Sequence, residues 1–165
     1  MALISGIAIL FVVMTHAPAQ QGNSDSSESE IQRGFAAAPV PLNLIGKNRS
    51  LVGLGSYYVN GISDCTGCHT GATGHLGGGE VFGPVLSRNL TPDAHGNPAG
   101  LTFAQFKDVI RNGTDFKGIA PPGPLIIMPW PAYRHGTDRY IEALYEYLRA
   151  IPCLEGGPGV PSPRC

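Results

Sequence analysis

Cys65-Thr66-Gly67-Cys68-His69 stands near the middle of a 165-residue chain that has four cysteines in all. On one turn of helix, residues i, i+3 and i+4 share a face, so both sulfurs and the imidazole project together. C-x-x-C-H is the attachment signature of a c-type haem. Two sulfurs form thioether bonds to the porphyrin vinyl groups, and the next side chain offers an imidazole nitrogen to the iron. Cys65 and Cys68 are therefore the candidate attachment residues and His69 a candidate axial ligand. Two other chemistries use such a cysteine pair. A dithiol redox pair needs a strand before it within a βαβ pattern, and a zinc site could draw on Cys65, Cys68 and His75 but lacks a second ligand pair.

The residues upstream read as a helix. From Asn48 onward, Leu51, Leu54, Tyr58 and Val59 fall on one face at i, i+3, i+7 and i+8. Gly53 and Gly55 weaken that helix by about 1 kcal/mol each against alanine. Gly55 is read either as a point of close helix approach or as a tolerated weakness. Before it, residues 20–30 contain a single class of side chain, polar or absent, and read as a solvated linker. Residues 35–41 read as extended because each proline disfavours helical geometry in its predecessor. Folded structure is expected to begin near Gly46. The first residues form an apolar run ending in Ala17-Pro18-Ala19, which reads as a signal-peptide core with its cleavage site. That run is shorter than the ~20 residues needed to span a bilayer. It carries no Lys or Arg before the apolar stretch, so its positive end rests on the terminal amine or on an upstream start.

Downstream, glycine and turn signals dominate to Gly100, with a short hairpin expected over residues 81–86. Thr102 and Gln105 form a capping-box pair, with Leu101 and Phe106 as the hydrophobic staple around it. Phe103, Phe106, Val109 and Ile110 make one apolar face that stops at Gly113. Pro121-Pro122-Gly123-Pro124 and Leu125-Ile126-Ile127-Met128-Pro129-Trp130-Pro131 read as a loop, buried because its side chains are large and apolar. A last helix is expected from the N-cap Thr137 to Ile151 before Pro152, with Ile141, Leu144, Tyr145, Leu148 and Ile151 as its stripe.

Removal of a leader would take Met1 and Met14, leaving Met128 as the candidate sixth ligand: a thioether held between prolines. Its alternative role is core filling. His75, His95 and His135 are the competing ligands, each read as a surface histidine. Cys153 and Cys165 enclose a short Gly/Pro-rich tail, and in an exported protein this even pair is expected as a disulfide, contributing about 3 kcal/mol.

Composition narrows the function classes. A net charge of -1 with 14% charged residues supplies no basic field for a phosphate backbone, so nucleic acid is not an expected partner. With 23 glycines and 15 prolines beside 42% hydrophobic residues, the chain is turn-rich without being disordered. Such a chain gains from a large flat cofactor to fold around.

Gly55-Ser56-Tyr57-Tyr58-Val59-Asn60-Gly61-Ile62-Ser63-Asp64 leading into the cysteine motif, then Ser87-Arg88-Asn89-Leu90-Thr91-Pro92-Asp93, Ile127-Met128-Pro129-Trp130 and the terminal helix, resemble bacterial class I cytochromes c. The similarity extends to haem modules that accompany periplasmic dehydrogenases and covers roughly residues 48–153. It implies an all-α, loop-rich class I cytochrome c fold whose first and last helices cross. One covalent haem c would lie between His69 and Met128. Trp130, Tyr133, Arg88 and Asn89 become candidates for haem-edge or propionate contacts, with plain packing or turn structure as the alternative.

The expected organisation is a signal peptide over residues 1–19, a polar and Pro-rich linker over 20–47, a cytochrome c domain over 48–152 and a tail over 153–165. The expected function is periplasmic electron transfer between Fe(III) and Fe(II), without catalysis by the chain itself, as a free carrier or as the electron-accepting subunit of a dehydrogenase. Redox partner proteins of a dehydrogenase or oxidase chain would be its partners, with no transmembrane segment in the mature chain. The other reading is a haem-based enzyme or gas sensor with a displaceable sixth ligand.

Overall fold

The computed structural model describes residues 22–117, 124–157, 159–160 and 165. The expected signal peptide, Met1, Met14 and residues 121–123 lie outside them. Among the described residues the architecture is all-α: α1 (Gly22–Ala37), α2 (Arg49–Tyr57), α3 (Cys65–His69), α4 (Phe103–Asn112), α5 (Trp130–Tyr133) and α6 (Asp138–Ala150), with one hairpin of β1 (Val81–Phe82) and β2 (Val85–Leu86). The hairpin pairs Val81 with Leu86 and Phe82 with Val85, antiparallel. Among the described residues no helix is long and apolar enough to cross a membrane.

Helix α2 starts where Asn48 accepts a hydrogen bond from the Leu51 amide on its side-chain oxygen, an N-cap. It lies between two other helices, and its two glycines face opposite ways. A Cβ on Gly55 would stand 1.9 Å from the Ala143 carbonyl oxygen of α6, and one on Gly53 would stand 2.8 Å from Ile31 Cγ2 of α1. Close approach is thus the role of Gly55, and Gly53 does the same on the other side. On the α1 side Gly34 is equally tight, its Cβ position lying 1.8 Å from the Gly53 carbonyl oxygen.

The linker expected over 20–47 is corrected here, because residues 22–37 form α1 and pack on α2. Polar composition did not prevent this: Ile31 is buried, Phe35 packs against the same cluster, and the Arg49 guanidinium sits 4.5 Å over the Phe35 ring. A stripe of two apolar side chains and one glycine is enough when the partner helix offers a glycine in return. Pro39 acts as expected, since the helix ends at Ala37, but residues 35–37 are helical rather than extended. Residues 38–47 continue the packed structure. Val40, Leu42 and Leu44 lie against the main core, and the Asn43 amide donates to the Ala150 carbonyl at 2.8 Å.

The later helices follow their local signals. Thr102 and Gln105 form the reciprocal capping box, and Gly113 ends α4 in the left-handed region at φ 70°. Thr137 caps α6 by accepting from the Tyr140 amide. The two helices meet through Tyr145, whose ring lies edge-on to Phe103 and Phe106 and whose hydroxyl donates to the Leu101 carbonyl at 3.1 Å. The expected disulfide joins Cys153 to Cys165, with Cα atoms 5.7 Å apart.

The loop over 124–131 differs from expectation in two ways. Ile126 and Ile127 are 80% and 45% exposed rather than buried. Both ends of the loop are tied down, Leu125 by its amide to the Gly113 carbonyl at 2.7 Å and Trp130 by its indole N–H to the Leu125 carbonyl at 3.2 Å, which leaves 126 and 127 at the crest. Residues 130–133 form a single helical turn despite Pro131, which sits in the first turn where no backbone N–H is required.

Two outcomes test this account. Gly55→Ala forces α2 away from α6 and should cost at least about 1–3 kcal/mol, read as a lower urea midpoint with unchanged m-value. For Asp93, partial burial would raise the carboxyl, but hydrogen bonds from the Asn97 and His95 amides and the Asn97 side chain override it and hold the pKa below its ordinary value. A depressed folded-state pKa contributes stability that is present above the unfolded pKa and lost as pH falls through the folded one. Acid titration of stability should therefore be flatter in Asp93→Asn than in the parent over the range below the ordinary aspartate pKa.

Candidate functional site

The route into the cysteine motif is a single π-turn, Tyr58–Ile62, which continues α2. Its extra residue is closed by the Ser63 amide donating to the Tyr58 carbonyl at 2.8 Å. Asp64 then takes a left-handed conformation at φ 49°, a region that aspartate tolerates better than most residues, and α3 begins at Cys65. The whole motif is thus one short helical turn, as the spacing requires.

Cys65 and Cys68 are both free thiols and both half-buried. Burial pushes the Cys65 thiol up to about 12. A reactive dithiol needs the opposite, a depressed pKa that supplies thiolate, so the redox-pair chemistry does not fit. His69 has its Nδ1 2.7 Å from the Arg88 carbonyl oxygen, an acceptor only, so Nδ1 carries the proton and donates. The lone pair then belongs to Nε2, the nitrogen free to bind a metal. Burial lowers the His69 pKa, which keeps the imidazole neutral.

Met128 is half-buried and packs, like Cys65, against the main core cluster. A direct tie links the element that follows it to the motif. Tyr133 of α5 donates its hydroxyl to the Ser63 carbonyl at 2.7 Å, while Ser63 Oγ and the Tyr140 hydroxyl lie 2.8 Å apart. Burial and then the neighbouring Cys65 sulfur push the Tyr133 phenol up to about 12.

The remaining candidates also make contacts within the protein. Trp130 packs flat against Gly113, where a Cβ would stand 2.3 Å from its ring. The Arg88 guanidinium pairs with Asp115 at 2.6 Å. Asn89 is fully buried and accepts from the Thr91 amide and hydroxyl at 2.8 and 2.7 Å. His95 and His135 are exposed, as expected of surface histidines. His75 departs from that reading: it is half-buried, with Nε2 3.0 Å from the Tyr147 hydroxyl. Among the described residues no three His, Cys, Asp or Glu side chains are grouped so that they could hold a metal ion.

Two contributions escaped the sequence reading, which named Arg88 only for a contact to the haem and did not name Asn60 as a site residue. Arg88 acts through its carbonyl, a group every residue has, so no side-chain signal could have marked it. Asn60, in the π-turn, donates to Ser56 Oγ at 2.9 Å and to the Tyr147 hydroxyl at 3.0 Å, and only the helix irregularity brings it there.

An all-α fold that presents two free cysteines and a histidine in this way is of the kind found in proteins that attach haem c. Comparison with known proteins points the same way. The chain is 34% identical over 98 residues to the alcohol dehydrogenase (quinone) cytochrome c subunit of Gluconacetobacter polyoxogenes, a match covering 55% of this chain and 20% of that protein. It is 34% identical over 98 residues to the fructose dehydrogenase cytochrome subunit of Gluconobacter japonicus, covering 56% and 20%. Against the gluconate 2-dehydrogenase cytochrome c subunit of Pantoea cypripedii the identity is 29% over 108 residues, covering 61% and 23%. The chain spans about a fifth of the length of these curated relatives. No protein-family model matches it, and no solved structure matches it significantly. Over the matched stretch the chain is homologous to cytochrome c subunits of bacterial dehydrogenases.

The Tyr133 tie gives a direct test of how the loop bearing Met128 is held. Tyr133→Phe removes one hydrogen bond to the buried turn at Ser63 and should cost about 1 kcal/mol in chemical denaturation. A change near zero would mean that the Ser63 carbonyl is satisfied without it.

Proposed function

We propose that this chain is an exported electron-transfer protein that holds one haem c through thioethers from Cys65 and Cys68, with His69 and Met128 as the two axial ligands. The observation that carries this reading is the His69 imidazole, held by the Arg88 carbonyl so that Nε2 keeps its lone pair, on the same helical turn as two free thiols. The donor set fits the group: two free cysteines at i and i+3, a neutral histidine next to the second, and a thioether just ahead of α5, whose Tyr133 is tied to Ser63 two residues before the turn. Haem c supplies a one-electron couple between Fe(III) and Fe(II).

The chain's own residues account for the rest. With His69 and Met128 both committed, no coordination position remains for dioxygen or a substrate, so electron transfer is the chemistry left. Ligation by a His/Met pair would raise the reduction potential of the group. Neutral His69 binds without having to lose a proton first. The cytochrome subunits named above accompany alcohol, fructose and gluconate dehydrogenases, which supports a role as electron acceptor from a dehydrogenase, bound or free. Export of residues 20–165 after cleavage of residues 1–19 would place haem attachment in the periplasm and the Cys153–Cys165 disulfide in an oxidising compartment.

The test is absorption spectroscopy of the chain produced in a periplasm with haem-attachment machinery. The reading expects a covalent haem c whose ferric form shows the weak sulfur-to-iron band of His/Met ligation, lost in Met128→Ala. Covalent haem without that band would transfer the lead to an open-site enzyme or gas sensor, and absence of haem would end the cytochrome reading.

A further inference from the structure

The peptide that joins Arg88 to Asn89 is gripped from two sides. On one side is Gly78, at φ +73°, where a Cβ would stand 2.5 Å from the Arg88 carbonyl carbon and 2.6 Å from the Asn89 nitrogen. That glycine is itself fixed to the haem-binding turn, its amide donating to the His69 carbonyl at 2.7 Å. On the other side is the C-terminal tail. Asn89 Nδ2 donates to the Leu154 carbonyl at 2.6 Å, and the Leu154 amide donates to Thr91 Oγ1 at 3.0 Å. Thr91 Oγ1 in turn donates to Asn89 Oδ1 at 2.7 Å. Asn89 and Thr91 are both fully buried.

Leu154 thus offers both its backbone groups to two side chains, much as a strand would offer them to a neighbour. Its own side chain closes over the glycine-rich loop, within 3.3 Å of the Cβ position of Gly74 and 3.2 Å of that of Gly77. What holds Leu154 there is its place in the chain. It follows α6 by a few residues and sits next to Cys153, whose disulfide to Cys165 ties down the far end of the tail. The Cys165 amide also donates to Glu155 Oε1 at 3.0 Å.

We propose that the disulfide-closed tail is a clamp for the axial histidine: Leu154, through Asn89 and Thr91, fixes the Arg88–Asn89 peptide and so the carbonyl that orients His69. These are positioning residues, since none of them is a ligand, and the proposal rests on the haem reading above. A carbonyl held rigidly against Nδ1–H makes the imidazole a stronger donor and favours the ferric state. Loosening the clamp weakens that bond, so the potential should move upward.

The experiment uses the haem-loaded chain in three forms besides the parent. Thr91→Val removes the hydroxyl without changing shape, Cys153→Ser with Cys165→Ser opens the tail at a distance, and Ile141→Val destabilises the core away from the clamp. In the diamagnetic ferrous protein, NMR follows solvent exchange of the His69 Nδ1 proton, and spectroelectrochemistry reads the ferrous-to-ferric ratio at one fixed ambient potential. The clamp expects exchange about tenfold faster and a higher ferrous fraction in Thr91→Val and in the double serine variant, with the parent's values in Ile141→Val. Unchanged exchange in both clamp variants, or equal changes in all three in proportion to lost stability, overturns it while leaving the cytochrome reading intact. A parent chain without haem overturns the cytochrome reading instead. The 15N shifts of His69 in that sample then settle the clamp: a sole Nδ1–H tautomer that becomes mixed in the clamp variants supports it, and an unaltered tautomer overturns it.

Discussion

Everything in this structure hangs on how closely α2 lies between α1 and α6. At Gly55 the backbone of α6 occupies the place of a side chain, and at Gly53 the side chains of α1 do the same. Helices in such contact cannot slide or rotate without a clash, because interiors packed at crystal-like density have no slack to absorb it. The direction in which α2 leaves the bundle is therefore fixed. That direction sets where the cysteine turn begins, since only the π-turn and two residues separate α2 from Cys65. Covering α2 on both sides also explains how a turn-rich chain assembles a core: Val52, Leu54 and Val59 are buried by neighbours that approach unusually near.

The π-turn costs an irregular helix, and its polar network shows what offsets that cost. Asn60 bridges Ser56 and Tyr147, Ser56 donates to the Gly34 carbonyl at 2.6 Å, and Tyr147 reaches His75. One line of hydrogen bonds thereby crosses α1, α2, α6 and the loop after His69. Tyr147 and Ser56 are fully buried, and no buried side-chain nitrogen or oxygen among the described residues lacks a partner. In a low-dielectric interior each such group would be costly unpaired, so a complete network holds the helices in one arrangement where an incomplete one would loosen them.

Local chemistry was legible in the sequence and tertiary chemistry mostly was not. Thr102 with Gln105, Gly113 and Thr137 mark helix ends by interactions within a few residues, so the reading and the structure agree there. The cysteine turn was legible because the spacing itself encodes a shared face. Helix α1 was illegible for the converse reason: its polar residues argue for a linker, and its fate depends on Gly53 in another segment. The crest at Ile126 and Ile127 misled because large apolar side chains suggest burial, whereas the tethers at Leu125 and Trp130 decide which of them face inward. The carbonyl of Arg88 carries no sequence signal at all. Its importance comes from a loop that returns across His69, and from nothing in the arginine side chain.

That return has its own cost, at Leu76. A leucine at φ 57° sits in the left-handed region, at an expense of about 1–2 kcal/mol for a residue with a Cβ. The same leucine is completely buried, which stabilises by about 1.5–3 kcal/mol relative to exposure, and its carbonyl accepts from the Leu90 amide at 2.8 Å. Burial is thus of a size to offset the backbone strain, and the hydrogen bond adds to it. A glycine would remove the strain and with it the side chain that anchors the loop. An anchored left-handed leucine turns the chain sharply enough for Gly78 to meet the His69 carbonyl and for residue 88 to come back over the imidazole. Left-handed strain thus brackets the motif, at Leu76 in the segment that must reverse direction and at Asp64 just before α3, and leaves the turn that would hold the haem in ordinary helical geometry.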